Sequence, residues 1–207
     1  MAKRTIVYID GFNLYYGALK GTSHKWLNLQ KYFKLLLPHD DLREVCYFTS
    51  EVSGRPRADQ QAYLAALTTQ PLISIHYGKF KTKKVKCAVP CTYAGDRWFQ
   101  VMEEKRTDVN IAVRLVEDAY QDVCDKFVIV SGDSDLAPAL HCIQRRCPEK
   151  RRVVYIPALD PIRGAAVEMR GAANQNRLLP INLMPRCQFP ATVPDGSGKM
   201  ISKPAGW

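Results

Sequence analysis

Short apolar runs alternate along this chain with longer segments in which apolar residues recur at helical spacing. Runs rich in β-branched and aromatic residues predict five buried strands, at residues 5–9, 45–49, 72–77, 127–131 and 152–156. The helical spacing predicts four helices, at residues 26–37, 57–68, 107–120 and 136–146. This alternation indicates an α/β fold class, a three-layer α/β/α sandwich with a mainly parallel central sheet.

The length of 207 residues suits a single domain with its own hydrophobic core. We expect this domain to span residues 1–183. Proline, glycine and serine accumulate from Met184 onward, so residues 184–207 are predicted to form a loosely structured C-terminal tail. The apolar share of 46% and the charged share of 24% are ordinary for a globular protein and distinguish no function.

The net charge is the property of the composition that points to a partner. The chain carries a formal net charge of +10, and a basic excess of this size favours nucleic acid ahead of an anionic membrane. No apolar stretch reaches the roughly 18 residues of a membrane span, and the N-terminus has no apolar signal segment. The seven cysteines fit reduced thiols. We therefore expect a cytoplasmic protein with no membrane partner.

Aspartates follow two of the predicted strands and begin one of the predicted helices. Asp10 comes directly after the first strand, Asp133 and Asp135 follow the strand at 127–131, and Asp108 lies in the first turn of its helix. Because the carboxyl ends of parallel strands meet at one edge of a sheet, these side chains are expected to converge. Clustered carboxylates repel one another without a cation, and hard oxygen ligands prefer Mg²⁺ or Mn²⁺.

Each of these aspartates also has an ordinary structural explanation. Asp10 with Gly11 is a common turn pair, and Asp108 is favoured by the helix dipole. Asp133-Ser-Asp135 is typical of a helix N-cap. The metal interpretation depends on the three segments meeting at one edge, because three unrelated caps would not be expected to do so.

Three blocks of the sequence resemble the signature blocks of NYN domains, the LabA-like branch of the PIN-like nuclease superfamily. They are Tyr8-Ile-Asp-Gly-Phe-Asn-Leu14, Glu103-Glu-Lys-Arg-Thr-Asp-Val-Asn-Ile-Ala112 and Ser131-Gly-Asp-Ser-Asp-Leu-Ala-Pro138. The resemblance covers roughly residues 3 to 181 and implies a PIN-like α/β/α sandwich with a metal-dependent ribonuclease site. It makes RNA the expected substrate and allows a homodimer, since PIN-like proteins often dimerise.

The resemblance also assigns expected site residues. The catalytic set is Asp10, Asn13, Asp108, Asp133 and Asp135, and its four aspartates are the expected ligands of Mg²⁺ or Mn²⁺. Asp135 is either a further ligand or a base that orients the attacking water. Asn13 suits a hydrogen bond to the phosphate or to a bound water. We further expect Ser131 and Ser134 to orient the carboxylates.

Some positions of the blocks are less informative. Lys105 falls within the E-K-x-x-D pattern, where its role is open, and we count it with the substrate-binding residues. Asn174 follows Ala173 where an aspartate is expected, so this region is not expected to supply another acid.

A lysine-rich stretch is the expected nucleic-acid contact. The substrate-binding residues in it are Lys79, Phe80, Lys81, Lys83, Lys84 and Lys86. Lysines neutralise phosphates and an aromatic ring stacks on bases, which is the usual combination for single strands. Lysines that protect a solvated strand edge would give the same pattern. Cys87 and Cys91 have an allowed zinc-ligand spacing, but no second Cys or His pair completes a site.

Two other classes of function remain open. The first is a catalytically inactive RNA-binding or regulatory module that retains the acidic residues. The second is phosphoryl chemistry on a small molecule, which the basic surface disfavours. Aspartyl-nucleophile phosphatases carry D-x-D after the first strand, whereas Asp10 is followed here by Gly11 and Phe12. A metal-dependent nuclease is the function that the sequence favours.

Overall fold

The computed structural model describes residues 2–54, 56–88, 95–159 and 167–207, and its centre is a six-stranded sheet. The strands in chain order are β1 Arg4–Asp10, β2 Asp41–Thr49, β3 Ile73–Tyr77, β4 Lys79–Lys86, β5 Trp98–Lys105, β6 Lys126–Val130, β7 Arg151–Ile156, β8 Gln175–Leu178, β9 Thr192–Pro194 and β10 Met200–Ser202. The central sheet has the order β3-β2-β1-β6-β7-β8, and every pairing in it is parallel. The predicted fold class is confirmed.

Helices cover both faces of this sheet. They are α1 Gly11–Leu14, α2 Leu29–Leu36, α3 Pro56–Thr68, α4 Thr107–Tyr120, α5 Ala137–Arg146 and α6 Val167–Ala172. A π-helical turn follows α1, at Tyr15–Leu19. The second helix begins later than its apolar pattern predicted, because Asn28 is the N-cap and its side-chain oxygen accepts from the Lys31 amide at 2.9 Å.

Alternation along the strands divides the buried side chains into two cores. Val7 and Ile9 of β1 point to the layer that contains α2 and α3, whereas Ile6 and Tyr8 point to the layer that contains α4 and α5. Both faces of the central strands are therefore apolar, which explains why these strands appear in the sequence as continuous apolar runs. Among the described residues no helix is long and apolar enough to cross a membrane.

An antiparallel hairpin of β4 and β5 was not predicted. It lies outside the central sheet, between β3 and α4, and pairs Lys79 with Lys105 at its base and Lys86 with Trp98 towards its tip. Arg106 joins it to α4 with a φ of 84°, in the left-handed region. The lysine-rich stretch is thus a strand of a two-stranded arm.

The C-terminal segment 184–207, which we expected to be loosely structured, is packed against the core, and that expectation is corrected. Met184 and Cys187 are fully buried, and β9 and β10 form a second antiparallel hairpin. The Trp207 ring lies 6.3 Å from the Trp26 ring and 5.8 Å from the Tyr63 ring. Sparse apolar residues fix this segment despite its proline and glycine content.

Candidate active site

The aspartates lie where the strand order of the sheet reverses. β1 and β6 are parallel neighbours, and the chain leaves β1 towards α2 and leaves β6 towards α5, on opposite faces of the sheet. Asp10 is the last residue of β1, and Asp133 follows β6 by three residues. This crevice at the carboxyl ends of the strands is the usual ligand position in open α/β sheets. Asn174, by contrast, precedes β8 and lies at the opposite edge of the sheet.

Asp10 is nearly buried, at 5% exposure, and both of its carboxylate oxygens are held by protein donors. Oδ1 accepts from the Asn13 amide at 2.9 Å, and Oδ2 accepts from the Ser131 hydroxyl at 3.2 Å. Burial raises the pKa of Asp10 above its usual value, and the nearby Asp133 adds to the rise, while the two hydrogen bonds oppose it. The carboxylate is therefore fixed in position, with its charge only partly compensated.

A compact trio of carboxylates lies beside Asp10. Oxygens of Asp108, Asp133 and Asp135 all lie within 4.8 Å of one another. Burial, reinforced by Asp10 and Asp133, raises the pKa of Asp108 to about 6. The capping explanation holds as well, because Asp133 accepts from the Asp135 amide at 3.0 Å at the start of a single 3₁₀ turn, Ser134–Leu136. Such a trio of oxygen donors can hold a divalent cation.

Hydrogen bonds from Asn13 and Ser131 connect the ends of β1 and β6. The Asn13 side-chain oxygen accepts from the Gly132 amide at 3.1 Å, which leaves its NH₂ group without a partner among the described residues. The Ser131 hydroxyl donates to Asp10 and accepts from the Asp133 amide at 3.1 Å. Ser134 has no such bond to a carboxylate within the described part of the chain, so Ser131 alone has the orienting geometry that we expected of both.

Glu104 belongs to the same site and was missed by the sequence analysis. It lines the cleft with Asp108, and its Oε1 accepts from the Ser50 hydroxyl at 3.0 Å and from both the amide and the hydroxyl of Thr107. A Cβ at Gly78 would lie 2.6 Å from that oxygen, so a larger residue there would displace the Glu104 carboxylate. The E-K-x-x-D pattern was the available signal, since Glu104 is its first residue.

Two adjacent cavities open beside the carboxylates. The first, which we call the acidic cleft, has a volume of about 390 Å³ and is lined by Asp10, Asp108, Asp133 and Glu104, among others. The second, which we call the aromatic chamber, has a volume of about 630 Å³, and Tyr47, Tyr63 and Trp207 contribute to its walls. Both cavities are bounded by the same four side chains, which are Phe12, Tyr16, Phe80 and Met102.

The hairpin separates the predicted lysines onto two faces. Its inner face, which includes the Phe80 and Met102 side chains of the cleft, carries Lys84 and Lys86 opposite Gln100 and Trp98. The outer face carries the remaining members of the predicted substrate-binding set, which are Lys79, Lys81, Lys83 and Lys105.

An acidic residue on the outer face, Glu103, offsets part of the positive charge of its lysines. Glu103 pairs with Lys105 at 2.7 Å, and Lys105 together with Lys83 lowers the pKa of Glu103. The structure therefore brings Phe80 to the cleft and does not bring Lys105 to it.

A second group of possible ligand atoms, from Glu44, Cys46 and His76, lies on β2 and β3. Here the Glu44 carboxylate is paired with Arg114 at 2.9 Å, and the His76 ring stacks on Phe48 at 4.6 Å. Burial lowers the pKa of His76, and Arg114 lowers it further. The protein thus compensates this negative charge itself. Of the pair considered for zinc, Cys87 is half-buried and Cys91 lies outside the described residues.

Comparisons with known proteins identify the family of this domain and two similar proteins. The NYN domain family model matches residues 4–175. The 6-hydroxy-3-succinoylpyridine 3-monooxygenase HspA of Pseudomonas putida (strain DSM 28022 / S16) is 31% identical, over 99% of this chain and 75% of its own length. A protein of unknown function from Vibrio parahaemolyticus RIMD 2210633, VPA0982, has a similar fold, with a TM-score of 0.54, 13% identity and coverage of 87% of this chain and 95% of its own.

Proposed function

Since this chain belongs to the NYN domain family, we propose that it is a metal-dependent ribonuclease that hydrolyses phosphodiester bonds at the acidic cleft. The observation that carries the proposal is the trio of Asp108, Asp133 and Asp135, whose oxygens lie within 4.8 Å beside the buried Asp10. RNA rather than DNA as substrate, a cytoplasmic location and a homodimer belong to the same proposal.

The donor set of the cleft fits Mg²⁺ or Mn²⁺. All its candidate ligands are carboxylate oxygens, which these hard cations prefer. The pKa of Asp108, raised to about 6 by burial and by the other acids, indicates negative charge that the protein leaves uncompensated. We assign Asp108 and Asp133 as ligands, with Asp10 as a ligand that its hydrogen bonds orient. When bound, the cation supplies an acidified water and neutralises charge on a phosphate.

The remaining polar groups have distinct tasks in this proposal. Asp135 is the exposed member of the trio, so it is accessible to solvent and suits a base that orients the attacking water. Asn13 lines the cleft, and its NH₂ group can donate to a phosphate oxygen there. Phe80 can stack on a base, and Lys84 and Lys86 on the inner face can neutralise phosphates further along the strand.

Cleavage of labelled single-stranded RNA tests the proposal, with single-stranded DNA of the same sequence in parallel. We expect cutting of RNA with Mn²⁺ or Mg²⁺, its loss in EDTA, and its loss in the Asp133→Asn variant. RNA that binds equally tightly to both proteins but is never cut would instead indicate the inactive RNA-binding module. Neither binding nor cutting would reject both functions.

A second candidate function follows from the Pseudomonas putida relative, which is named as a monooxygenase of a hydroxypyridine and matches 99% of this chain. The aromatic chamber, at about 630 Å³, is large enough for such a ring. Substrate-dependent oxygen consumption with 6-hydroxy-3-succinoylpyridine and a reductant would support this candidate. Metal-dependent RNA cleavage without any such oxygen consumption would favour the nuclease.

A further inference from the structure

The aromatic chamber has no role in phosphodiester hydrolysis as proposed above, although it shares a wall with the acidic cleft. The shared wall consists of Phe12, Tyr16, Phe80 and Met102. The Phe12 and Phe80 rings meet edge to face, with centroids 5.7 Å apart, and so join α1 to the hairpin. The two cavities therefore lie side by side, and a ligand that occupied both would contact these rings.

Aromatic rings line much of the chamber, which also offers a polar group without a hydrogen-bond partner among the described residues. Tyr15, Tyr47, Tyr63 and Trp207 all contribute to its walls. The Tyr63 hydroxyl donates to the Leu27 carbonyl at 2.9 Å, whereas the Tyr47 hydroxyl has no hydrogen-bond partner among the described residues. Burial raises the pKa of Tyr47, so its hydroxyl remains a donor at neutral pH. This combination suits a flat ring that carries a hydrogen-bond acceptor at its edge.

Two lysines place positive charge against the rings of the chamber. The Lys20 Nζ lies 4.9 Å from the centroid of Tyr16, and the Lys25 Nζ lies 5.4 Å from that of Trp207. Both lysines line the chamber. Asp59 also lines the chamber, so its lining carries two positive charges and one negative, whereas every charged residue that lines the cleft is acidic. An anionic group attached to the ring is therefore attracted on the chamber side of the shared wall.

We propose that the aromatic chamber binds a planar heteroaromatic ring that carries an anionic group, and that this ring is the base of a nucleotide whose chain continues into the acidic cleft. Aromatic side chains stack on nucleobases of any sequence, and the volume of about 630 Å³ accommodates a nucleotide. The ring pocket itself is independent of the chemistry in the cleft, but its assignment to a nucleotide of the substrate rests on the proposed ribonuclease function.

The same ring chemistry can come from two sources, a nucleobase or a free heteroaromatic acid. Calorimetric titrations in Mg²⁺ distinguish them with three probes, none of which contains an internucleotide phosphodiester bond: adenosine 5′-monophosphate, ribose 5-phosphate and pyridine-3-carboxylate. We expect saturable binding of the nucleotide and at least about fivefold weaker binding of the two others. Ribose 5-phosphate lacks the base that stacks, and pyridine-3-carboxylate has a ring but lacks the phosphate. Preference for the pyridine acid over the nucleotide would overturn the assignment to a nucleobase.

The variant Tyr16→Ala tests whether the chamber is where the ring binds. The Tyr16 side chain is 60% exposed, so its removal leaves the core intact, and Tyr120→Ala is a matched control because Tyr120 is 61% exposed and lines neither cavity. We expect Tyr16→Ala to weaken nucleotide binding by at least about fivefold and Tyr120→Ala to leave it unchanged. Equal binding by all three proteins, or no nucleotide binding by the wild type, would overturn the proposal.

The failure of this inference can be told apart from the failure of the proposed function. Nucleotide binding that depends on Tyr16, in a protein that cuts no RNA, would support ring binding in the aromatic chamber and reject the proposed nuclease function. Metal-dependent RNA cleavage that is equally fast when the base next to the scissile phosphate is replaced by an abasic residue would uphold the nuclease and reject the pocket.

Discussion

At the scale of single residues, hydrogen bonds between the ends of two strands hold the acidic side chains in position. Ser131 is fully buried, and its hydroxyl lies between the Asp10 carboxylate and the Asp133 amide. Asn13 adds a parallel connection to the Gly132 amide. A carboxylate with 5% exposure keeps a fixed orientation only if such donors are present, because an unpaired buried charge is strongly disfavoured.

The two serines of the Ser131-Gly-Asp-Ser134 motif give a matched pair of variants. Ser131→Ala removes the donor to Asp10, so we expect metal affinity and cleavage rate to fall by about 10- to 100-fold. Ser134→Ala removes no bond to a carboxylate and should stay within about twofold of the wild type. Mn²⁺ affinity by calorimetry and the cleavage rate measure the two effects, and equal losses in the two variants would contradict the assigned geometry.

Asp108 should make the metal-free protein less stable as pH rises. Its folded-state pKa of about 6 exceeds the usual 3.8, so the folded protein binds more protons than the unfolded chain between these values. The free energy of unfolding therefore falls as pH rises from about 4 to about 6, and the loss persists above pH 6. The Asp108→Asn variant lacks this loss.

We expect metal-free Asp108→Asn to melt on the order of 1–3 °C above the wild type at pH 7.5 and no higher than it at pH 4.5. Added Mn²⁺ should raise the melting temperature of the wild type and have little effect on the variant. Thermal unfolding in EDTA and in Mn²⁺ measures both. A variant that is less stable than the wild type at both pH values would contradict the electrostatic origin of the raised pKa.

The sequence predicted the residues of the cleft better than those of the chamber, for a physical reason. Asp10 and Asp133 follow apolar strands directly, so the parallel topology alone brings them to one edge. Glu104 reaches the cleft only because β5 folds back along β4. Tyr47 and Trp207 belong to segments far apart in the chain, and no local pattern indicates that they share a cavity.

At the scale of elements, the β4–β5 hairpin connects the candidate nucleic-acid surface to the cleft. The sequence analysis left open a solvated strand edge for the lysines of β4. It gave no partner strand, because β4 ends at Lys86 and β5 begins only at Trp98, without the two-residue turn that typically marks a hairpin. The register of β4 and β5 determines which lysines, Lys84 and Lys86, lie on the face that also carries the cleft residues Phe80 and Met102.

Two double variants test whether RNA binds to the inner face of the hairpin rather than to its outer face. Lys84 and Lys86 lie on the inner face with Trp98, and Lys81 and Lys83 lie on the outer face near Glu103. We expect Lys84→Gln with Lys86→Gln to weaken RNA binding by about tenfold and to reduce its salt dependence, and Lys81→Gln with Lys83→Gln to have at most a small effect. Fluorescence anisotropy across a salt series in EDTA measures both effects. A larger effect from the outer pair would place the bound RNA on the outer face of the hairpin instead.

At the scale of the whole molecule, the C-terminal segment completes both a core and a cavity. Trp207 contacts the rings of Trp26 and Tyr63 and also lines the chamber. The frequent proline and glycine residues predicted a loose tail. A few buried side chains such as Met184 are nevertheless enough to hold the segment against the core, and composition alone does not show which side chains are buried.

Trp207→Ala tests the role of the segment. Because its ring packs against two core aromatic residues, we expect a loss of about 1–3 kcal/mol in the free energy of unfolding, below the value for a fully buried tryptophan. Trp98→Ala is the control, since Trp98 is 54% exposed and should lose well under 1 kcal/mol. Urea unfolding at neutral pH measures both variants, and equal stability of Trp207→Ala and the wild type would mean that the segment does not support the core.

The initial rate of RNA cleavage as a function of free Mn²⁺ tests the central claim most directly. The wild type is compared with Asp133→Asn and with Asp41→Asn. Asp41 is a suitable control because it begins β2, at the amino ends of the strands, and its carboxylate forms an ion pair with Arg43 at 2.6 Å. We predict a rate that rises from zero and saturates with Mn²⁺, is unchanged in Asp41→Asn, and falls by at least about 100-fold in Asp133→Asn. A rate that is independent of Mn²⁺, or equal in all three proteins, would contradict it.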